Sequence, residues 1–274
     1  MRYEVWDIFT ERAFGGNPLA VVWPEGDADA ELRQRIAREF NFSETTFVTK
    51  AEAGGDRRVR IHTPTREIPF AGHPTIGTAI ALAADGLGPD LMLELGVGPL
   101  AARAEGGRAE FRTEVPLAVE SEIPAEAISA CLSLSAGVVS DPVPYAGVGL
   151  PFMLVPIPDA ATLAGLSVDL DAMRRADAEF GTGVHFDVFA YVRDGSDVRA
   201  RMFAPLDGIP EDPATGSASA ALAAWIAREE GEVALSITQG VEMGRPSYIE
   251  ARADASGVTI AGSAVKVMEG RLCL

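Results

Sequence analysis

The sequence predicts an α+β protein of two similar halves, each with a curved, antiparallel or mixed sheet around a central apolar helix. Three observations predict this architecture. One motif occurs twice, short strands with alternating polar and apolar residues recur along the chain, and two helical segments have almost no polar face. A short helix without a polar face must be surrounded by protein, and a curved sheet in each half can surround it.

The repeat is visible as two long motifs of the same order. The copies are Arg60–Pro64 followed by Ile68–Thr75, and Arg201–Pro205 followed by Ile209–Ser217. Their spacing is constant, since 201 − 60, 205 − 64 and 210 − 69 all equal 141. Two further pairs of segments match in the same order: Gly16–Val22 with Gly149–Val155, and Glu44–Val48 with Asp187–Val192. We therefore predict a duplicated unit with domains at 1–116 and 117–274, and the last strand could return to the first half.

The elements follow from periodicity. An amphipathic helix should start near Asp27 or Asp29 and lie on an outer surface, because Leu32, Ile36 and Phe40 recur every four residues. Alternation predicts four strands at Arg57–His62, Arg108–Arg112, Val198–Phe203 and Ala264–Met268. The two apolar helices should cover Ile76–Ala84 and, apart from Ser219, Ala218–Ala227.

Composition and charge argue against several classes of protein. The 274 residues are 47% hydrophobic, enough for one large domain or two smaller ones. The net charge of −17 disfavours nucleic-acid binding and is typical of a solvated acidic surface. The N-terminus lacks the apolar run of a signal peptide, and no apolar stretch is long enough to span a membrane. Cys131 and Cys273 give no disulfide framework, so we expect a cytoplasmic protein.

Each apolar helix begins where a motif loop ends, which predicts two anion-binding positions. The first backbone N–H groups of a helix have no helical partner, and the helix dipole makes that end electropositive. Gly72 and Gly216 permit close approach of a ligand, while Thr215 and Ser217 offer hydroxyl groups. The alternative is that these residues only cap two buried helices.

Three titratable residues lie in or near these loops. Glu44 stands at the start of a β-rich segment, where desolvation would raise the pKa of a carboxyl group and suit it to acid–base catalysis. His73 and Asp212 lie in the two motif loops. Each also has a structural alternative: Glu44 could begin an exposed strand, His73 could be a core histidine, and Asp212 could cap a helix.

Several segments together identify a family resemblance. They are Phe9–Val22, Asn41–Val48, Pro69–Ala79, Glu211–Ala218, Gln239–Gly240, Gly244–Ser247 and Gly262. In these segments, in order and without large gaps, the chain resembles the PhzF (phenazine biosynthesis-like) family. The resemblance implies a diaminopimelate-epimerase-like fold, with two similar halves that each form a barrel-like, mostly antiparallel sheet around a central helix. It also implies an active site in the cleft between the halves and suggests a homodimer.

The resemblance also bears on the chemistry. In cysteine-dependent epimerases of this fold each half supplies one catalytic cysteine, and we expect the matching positions to be Ala71 and Asp212, because 212 − 71 = 141. Neither position is a cysteine, and Cys131 and Cys273 lie elsewhere in the chain. A two-thiol, proline-racemase-like reaction therefore lacks its thiols.

The PhzF family instead transfers a proton with one glutamate, a role that the resemblance places on Glu44. It implies supporting roles for His73, Asp212 and Ser217. The substrate-binding residues that we expect are Ser43, Gly72, Thr215, Gly216 and Ser217. No metal-ligand cluster and no nucleotide-binding glycine pattern is visible, so we expect a cofactor-free isomerase acting on a small, conjugated, carboxylate-bearing substrate. The alternative is a non-catalytic metabolite-binding or interaction protein with the same cleft.

Overall fold

The chain forms two compact units. The computed structural model describes residues 1–26, 28–181 and 186–273. The first unit is Met1–Arg112 together with Ile260–Leu274, and the second is Thr113–Thr259. The α+β architecture expected from the sequence is confirmed in each.

The first unit begins with eight strands and two helices. The strands are β1 (Arg2–Ile8), β2 (Asn17–Trp23), β3 (Glu44–Lys50), β4 (Arg57–His62), β5 (Glu67–Ile68), β6 (Asp90–Leu95), β7 (Gly98–Glu105) and β8 (Arg108–Thr113). The helices are α1 (Ala30–Phe40) and α2 (Gly72–Ala84).

The strands of the first unit close into a barrel. Antiparallel pairs join β1 to β2, β3 to β4, β6 to β7 and β7 to β8, while β2–β3 and β4–β6 are parallel. The last strand of the chain, β17 (Gly257–Arg271), pairs with both β8 and β1 and completes the ring. The short β5 pairs with the end of β4. The barrel is therefore mostly antiparallel, as the fold resemblance implies.

Helix α2 is the central apolar helix of this barrel. It packs against β1, β2, β3 and β7, and its residues from Gly72 to Leu82 are all buried. A Cβ atom at Gly77 would lie 2.4 Å from Ile8 Cδ1 and 2.6 Å from Leu19 Cδ2, so the helix and strands approach closely there. The predicted segment is confirmed, and α2 also includes the end of the motif loop.

Helix α1 packs against the barrel from outside. The side chain of Asp29 accepts a hydrogen bond from the backbone N–H of Leu32, which begins the helix. Ile36 is buried, and Leu32 and Phe40 pack against the same small cluster, as their spacing predicts. The other proposed cap, Asp27, lies outside the described residues.

The second unit repeats the strand order of the first with additional helices. Its strands are β9 (Ala118–Ile123), β10 (Val143–Val148), β11 (Leu150–Pro156), β12 (Val188–Asp194), β13 (Asp197–Ala204), β14 (Ile209–Asp212), β15 (Val233–Gln239) and β16 (Ser247–Asp254). Its helices are α3 (Ala125–Cys131), α4 (Ala160–Ala164), α5 (Leu170–Phe180) and α6 (Gly216–Glu230).

The pairing sequence demonstrates the duplication. β10–β11 is antiparallel, β11–β12 parallel, β12–β13 antiparallel, β13–β15 parallel and β15–β16 antiparallel. The same alternation joins β1, β2, β3, β4, β6 and β7 in the first unit. Helix α6 packs against β10, β11, β15 and β16 and is the central helix of this unit.

Candidate active site

Glu44 is the first residue of β3 and is largely removed from solvent. Helix α1 ends at Phe40, and the left-handed backbone of its C-cap residue Asn41 (φ 53°) turns the chain toward the strand. Glu44 then lies opposite Leu19 in the parallel β2–β3 ladder. Its side chain is 14% exposed, and Oε2 lies 3.2 Å from Nδ1 of His73. The structure therefore brings together the two candidate acid–base residues of the first unit.

His73 is the second residue of α2 and is buried. Complete burial lowers the pKa of its imidazole to about 3, although a hydrogen bond to the Pro18 carbonyl acts in the opposite direction. The ring is therefore neutral near pH 7. Its Nε2 atom is buried and has no hydrogen-bond partner among the described residues. A neutral imidazole beside Glu44 adds no positive charge there and retains one nitrogen for a ligand.

The buried imidazole should make the stability of the protein depend on pH. A histidine pKa of about 3 in the folded state lies below the value of about 6.5 in an unfolded chain. The unfolded state therefore binds the proton first, and stability falls as the pH decreases below about 6.5. When the pH is lowered from 7 to 5, the unfolding free energy of the wild type should therefore decrease by about 2 kcal/mol more than that of His73→Asn. Urea titrations at both pH values measure this difference, and equal losses would contradict it.

Asp212 ends β14 and belongs to a buried hydrogen-bond network in the second unit. Its Oδ2 accepts a hydrogen bond of 2.5 Å from the hydroxyl of Thr215. Gln239 donates from Nε2 to that hydroxyl oxygen at 2.9 Å and to the backbone carbonyl of Asp212 at 2.7 Å. Its Oε1 accepts from the Thr215 backbone N–H at 3.1 Å. The network fixes the Asp212 carboxylate in one orientation.

Gln239 is the member of this network to which the sequence analysis gave no role. It is the last residue of β15 and is fully buried. Its amide forms hydrogen bonds with the backbone of both Asp212 and Thr215 in the loop before α6. The following Gly240 has φ +73°, and a Cβ there would lie 2.6 Å from the Pro213 carbonyl oxygen. In the sequence, the only indication of this role is a glutamine followed by a glycine. Strand periodicity alone does not reveal the hydrogen-bond partners of Gln239.

The Thr215 hydroxyl is engaged within the protein. It donates to Asp212 and accepts from Gln239, so in this arrangement it orients the carboxylate. Substrate binding by Thr215 stays a prediction, and the structure shows that its hydroxyl group also positions Asp212. Ser217, two residues later, is half-buried.

Both central helices begin without a side-chain cap. Ala71 precedes α2 and Thr215 precedes α6, and neither side chain accepts a hydrogen bond from its helix. Gly72 and Gly216 are the first residues of the two helices, and both are buried. The first N–H groups of each helix thus lack the usual capping oxygen, which favours an anion at these positions.

The first residues of the two central helices show which residue of the second loop is equivalent to Ala71. Ala71 and Thr215 are equivalent N-cap positions, and 215 − 71 = 144. The strands before the two loops are separated by a shorter offset. His62 pairs with Thr45 in the first unit, Phe203 pairs with Val188 in the second, and 203 − 62 = 141. The second loop therefore contains three additional residues. Ala71 corresponds to Thr215, and the expected match to Asp212 is wrong.

Neither member of the corrected pair is a cysteine. Cys131 is fully buried in the core of the second unit, where burial raises the pKa of its thiol to about 11. Cys273 is exposed, near the end of the chain.

An arginine–glutamate ion pair holds each copy of the repeated loop. Arg60 donates to Glu67 at 2.9 Å in the first unit, and Arg201 donates to both oxygens of Glu211 at 2.8 and 2.9 Å in the second. The first pair is about one-third exposed, whereas the Arg201 and Glu211 side chains are 9% and 17% exposed. Arg201 also donates to the carbonyls of Leu163, Ala164 and Leu166. Glu211 directly precedes Asp212, so the buried pair anchors that loop.

Comparison with known proteins identifies the family. The model of the phenazine biosynthesis-like protein family PhzC-PhzF matches residues 6–270. The chain belongs to this family. It is 37% identical over 287 residues to the trans-2,3-dihydro-3-hydroxyanthranilate isomerase of Pseudomonas aeruginosa, covering 100% of this chain and 99% of that protein. It is also 37% identical over 295 residues to an uncharacterized isomerase of Mesorhizobium japonicum, covering 98% of each.

A solved structure supports the same assignment at the level of fold. The crystal structure of a PhzF-family phenazine biosynthesis protein from Bacillus anthracis matches with a TM-score of 0.88 and 24% identity, covering 100% of this chain and 99% of that one. The expected diaminopimelate-epimerase-like fold is therefore confirmed. The relatives that are named isomerases, at 35–37% identity, show that the chain is a PhzF-like isomerase.

The described part of the chain contains neither a metal-binding cluster nor a membrane-spanning helix. Within residues 1–26, 28–181 and 186–273, no cluster of three or more His, Cys, Asp or Glu side chains is arranged to hold a metal ion. Over the same residues, this PhzF family member has no helix with the length and apolar character needed to cross a membrane.

Proposed function

We propose that this PhzF-like isomerase moves a proton within a small, conjugated, carboxylate-bearing substrate, with Glu44 as the single acid–base residue and no cofactor. The observation that carries the proposal is the Glu44–His73 pair. A carboxylate at the start of a barrel strand lies 3.2 Å from a buried imidazole. Low solvent exposure suits the carboxylate to both removing and returning a proton.

The proposed step is balanced without an oxidant or a second base. The Glu44 carboxylate removes a proton from one substrate carbon, and the electron pair moves through the conjugated system. The protonated Glu44 then returns the proton to another carbon and regains its charge. The double bond has moved, and no electron has been gained or lost.

His73 supports this step as a neutral group. Its pKa of about 3 keeps the imidazole from holding a proton near neutral pH. The buried Nε2 atom can form a hydrogen bond with the substrate, while the contact at Nδ1 restricts the orientation of Glu44. A histidine in this role orients the acid and the substrate together.

The second unit supplies groups suited to binding. Asp212 is held in one orientation by Thr215 and Gln239, and a carboxylate can accept hydrogen bonds from a substrate amine or hydroxyl. The start of α6 at Gly216 and Ser217 favours a carboxylate. Gly72 and Ser43 have the same proposed binding role in the first unit.

The relatives suggest a substrate class. The Pseudomonas aeruginosa relative is named for trans-2,3-dihydro-3-hydroxyanthranilate, a cyclic carboxylate that carries an amine and a hydroxyl group. We propose a substrate of the same class for this chain. A homodimer and a cytoplasmic location stay predictions from the sequence.

Solvent-deuterium incorporation tests the proposal against the non-catalytic alternative. The protein is incubated in D₂O with trans-2,3-dihydro-3-hydroxyanthranilate, and the substrate and products are followed by NMR and mass spectrometry. The proposal requires double-bond movement and deuterium at carbon. A binding protein would instead raise the unfolding temperature with the compound and incorporate none. That pattern, across a panel of such cyclic amino- and hydroxy-carboxylates, would overturn the enzymatic proposal.

A further inference from the structure

The position of Glu44 in the first unit has a counterpart in the second. In the first unit Ala20 pairs with Thr45 in the parallel β2–β3 ladder, and Thr45 pairs with His62 of β4. Glu44 directly precedes Thr45 and is the first residue of β3.

The second unit has the same three-strand construction. Met153 pairs with Val188 in the parallel β11–β12 ladder, and Val188 pairs with Phe203 of β13. The offsets agree with those of the repeat, because 153 − 20 = 133, 188 − 45 = 143 and 203 − 62 = 141. Both ladders therefore identify Val188 as the equivalent of Thr45. The residue before it, Asp187, is the equivalent of Glu44.

Asp187 is a buried carboxylate, with 7% of its surface exposed. Its backbone carbonyl accepts a hydrogen bond from Met153 N–H at 2.9 Å, which fixes the residue at the start of β12. Asp and Glu are rarely buried to this extent unless they are paired with hydrogen-bond donors or cations, because removing a carboxylate from water is costly. The structural equivalence and the burial are independent observations about the same residue.

The residue at the equivalent helix position differs between the units. Glu44 lies beside His73, the second residue of α2. The second residue of α6 is Ser217, and 217 − 73 = 144 is the offset of the helix starts. A hydroxyl group cannot take the place of imidazole as a proton acceptor near neutral pH. A carboxylate at this position is therefore suited to binding a hydrogen-bond donor rather than to moving a proton between carbons.

We propose that Asp187 is a second substrate-binding carboxylate, which accepts a hydrogen bond from an amine or hydroxyl group of the substrate beside the start of α6. This inference rests on the proposed function and extends it. The duplication has retained a carboxylate at both strand starts. One copy has an imidazole neighbour and carries out proton transfer, while the other contributes specificity for a substrate with a polar donor.

The test compares Asp187→Asn with Asp197→Asn, which removes a charge from an exposed position on β13 of the same unit. Initial rates with trans-2,3-dihydro-3-hydroxyanthranilate give KM and kcat separately. Asp187→Asn should raise KM by about tenfold to a hundredfold, as expected for losing a hydrogen bond to a charged group, and should leave kcat within about threefold. Asp197→Asn should change neither value.

The outcomes separate this inference from the proposed function. An inactive wild-type protein would count against the proposed function. An active wild type with unchanged KM in Asp187→Asn, or with a loss in kcat alone, would overturn the role of Asp187 and leave Glu44 untouched. If Asp187→Asn does not fold, Asp187→Glu provides the test. It retains the charge but displaces it, so a raised KM supports the proposal and a wild-type KM overturns it.

Discussion

Replacing Glu44 with glutamine is expected to lower kcat/KM by about 100-fold to 10,000-fold, the range in which a positioned acid–base group contributes to catalysis. Glutamine has nearly the same shape as glutamate and can still contact His73, but it cannot accept a proton from carbon. Solvent-deuterium incorporation should fall by the same factor, because the same proton is removed in both measurements.

The expected loss resides in kcat rather than in KM. The amide of Glu44→Gln preserves the size of the side chain 3.2 Å from His73, so substrate binding should change little. A residue that acts only in the transition state lowers kcat and kcat/KM equally. Steady-state rates over a range of substrate concentrations separate the two parameters.

Two matched variants make the result specific. Glu39→Gln removes a carboxylate from an exposed position on α1 and should retain wild-type rates. Glu44→Asp keeps the charge but withdraws it by one methylene group, so its rate should lie between those of Glu44→Gln and the wild type. If Glu44→Gln exchanges deuterium as fast as the wild type, another group is the base and the proposed mechanism is wrong.

Much of the fold could be predicted because it depends on patterns local to each segment. β4 coincides with the predicted alternating run, and the apolar segments at Ile76 and Ala218 both lie within central helices. Burial on one face produces a period of two, and burial on all faces removes polar residues, so both patterns are visible in the sequence. The duplication was visible for the same reason, since the two copies have similar local environments.

The missing features depend on contacts between distant residues. The three additional residues before α6 are found by comparing two offsets between the units. Paired strand residues are 141 positions apart, and the helix starts are 144 positions apart, so the strand registers are needed to detect the difference. The hydrogen bonds of Gln239 join residues separated by more than twenty positions. The neutral state of His73 follows from its complete burial. None of these arises from periodicity, although each determines the properties of the candidate site.

The two arginine–glutamate pairs allow the effect of burial to be measured within one chain. Arg201→Met is expected to lower the unfolding free energy by about 3–5 kcal/mol, the range for removing one partner from a buried ion pair. The substitution would leave the Glu211 carboxylate without its bidentate partner and remove a donor from three backbone carbonyls. The cost is large because these groups are shielded from water and cannot be fully resolvated while the fold persists.

Arg60→Met is the matched control, with an expected loss of about 0–1 kcal/mol, since the side chains of Arg60 and Glu67 are each about one-third exposed. Urea unfolding monitored by circular dichroism measures both variants. Equal losses would show that burial does not distinguish the pairs. Because Glu211 directly precedes Asp212, Arg201→Met should also weaken substrate binding in its folded fraction, whereas Arg60→Met should change stability and KM little. The same change in the two copies of one motif thus separates an anchor of the Asp212 loop from a surface ion pair.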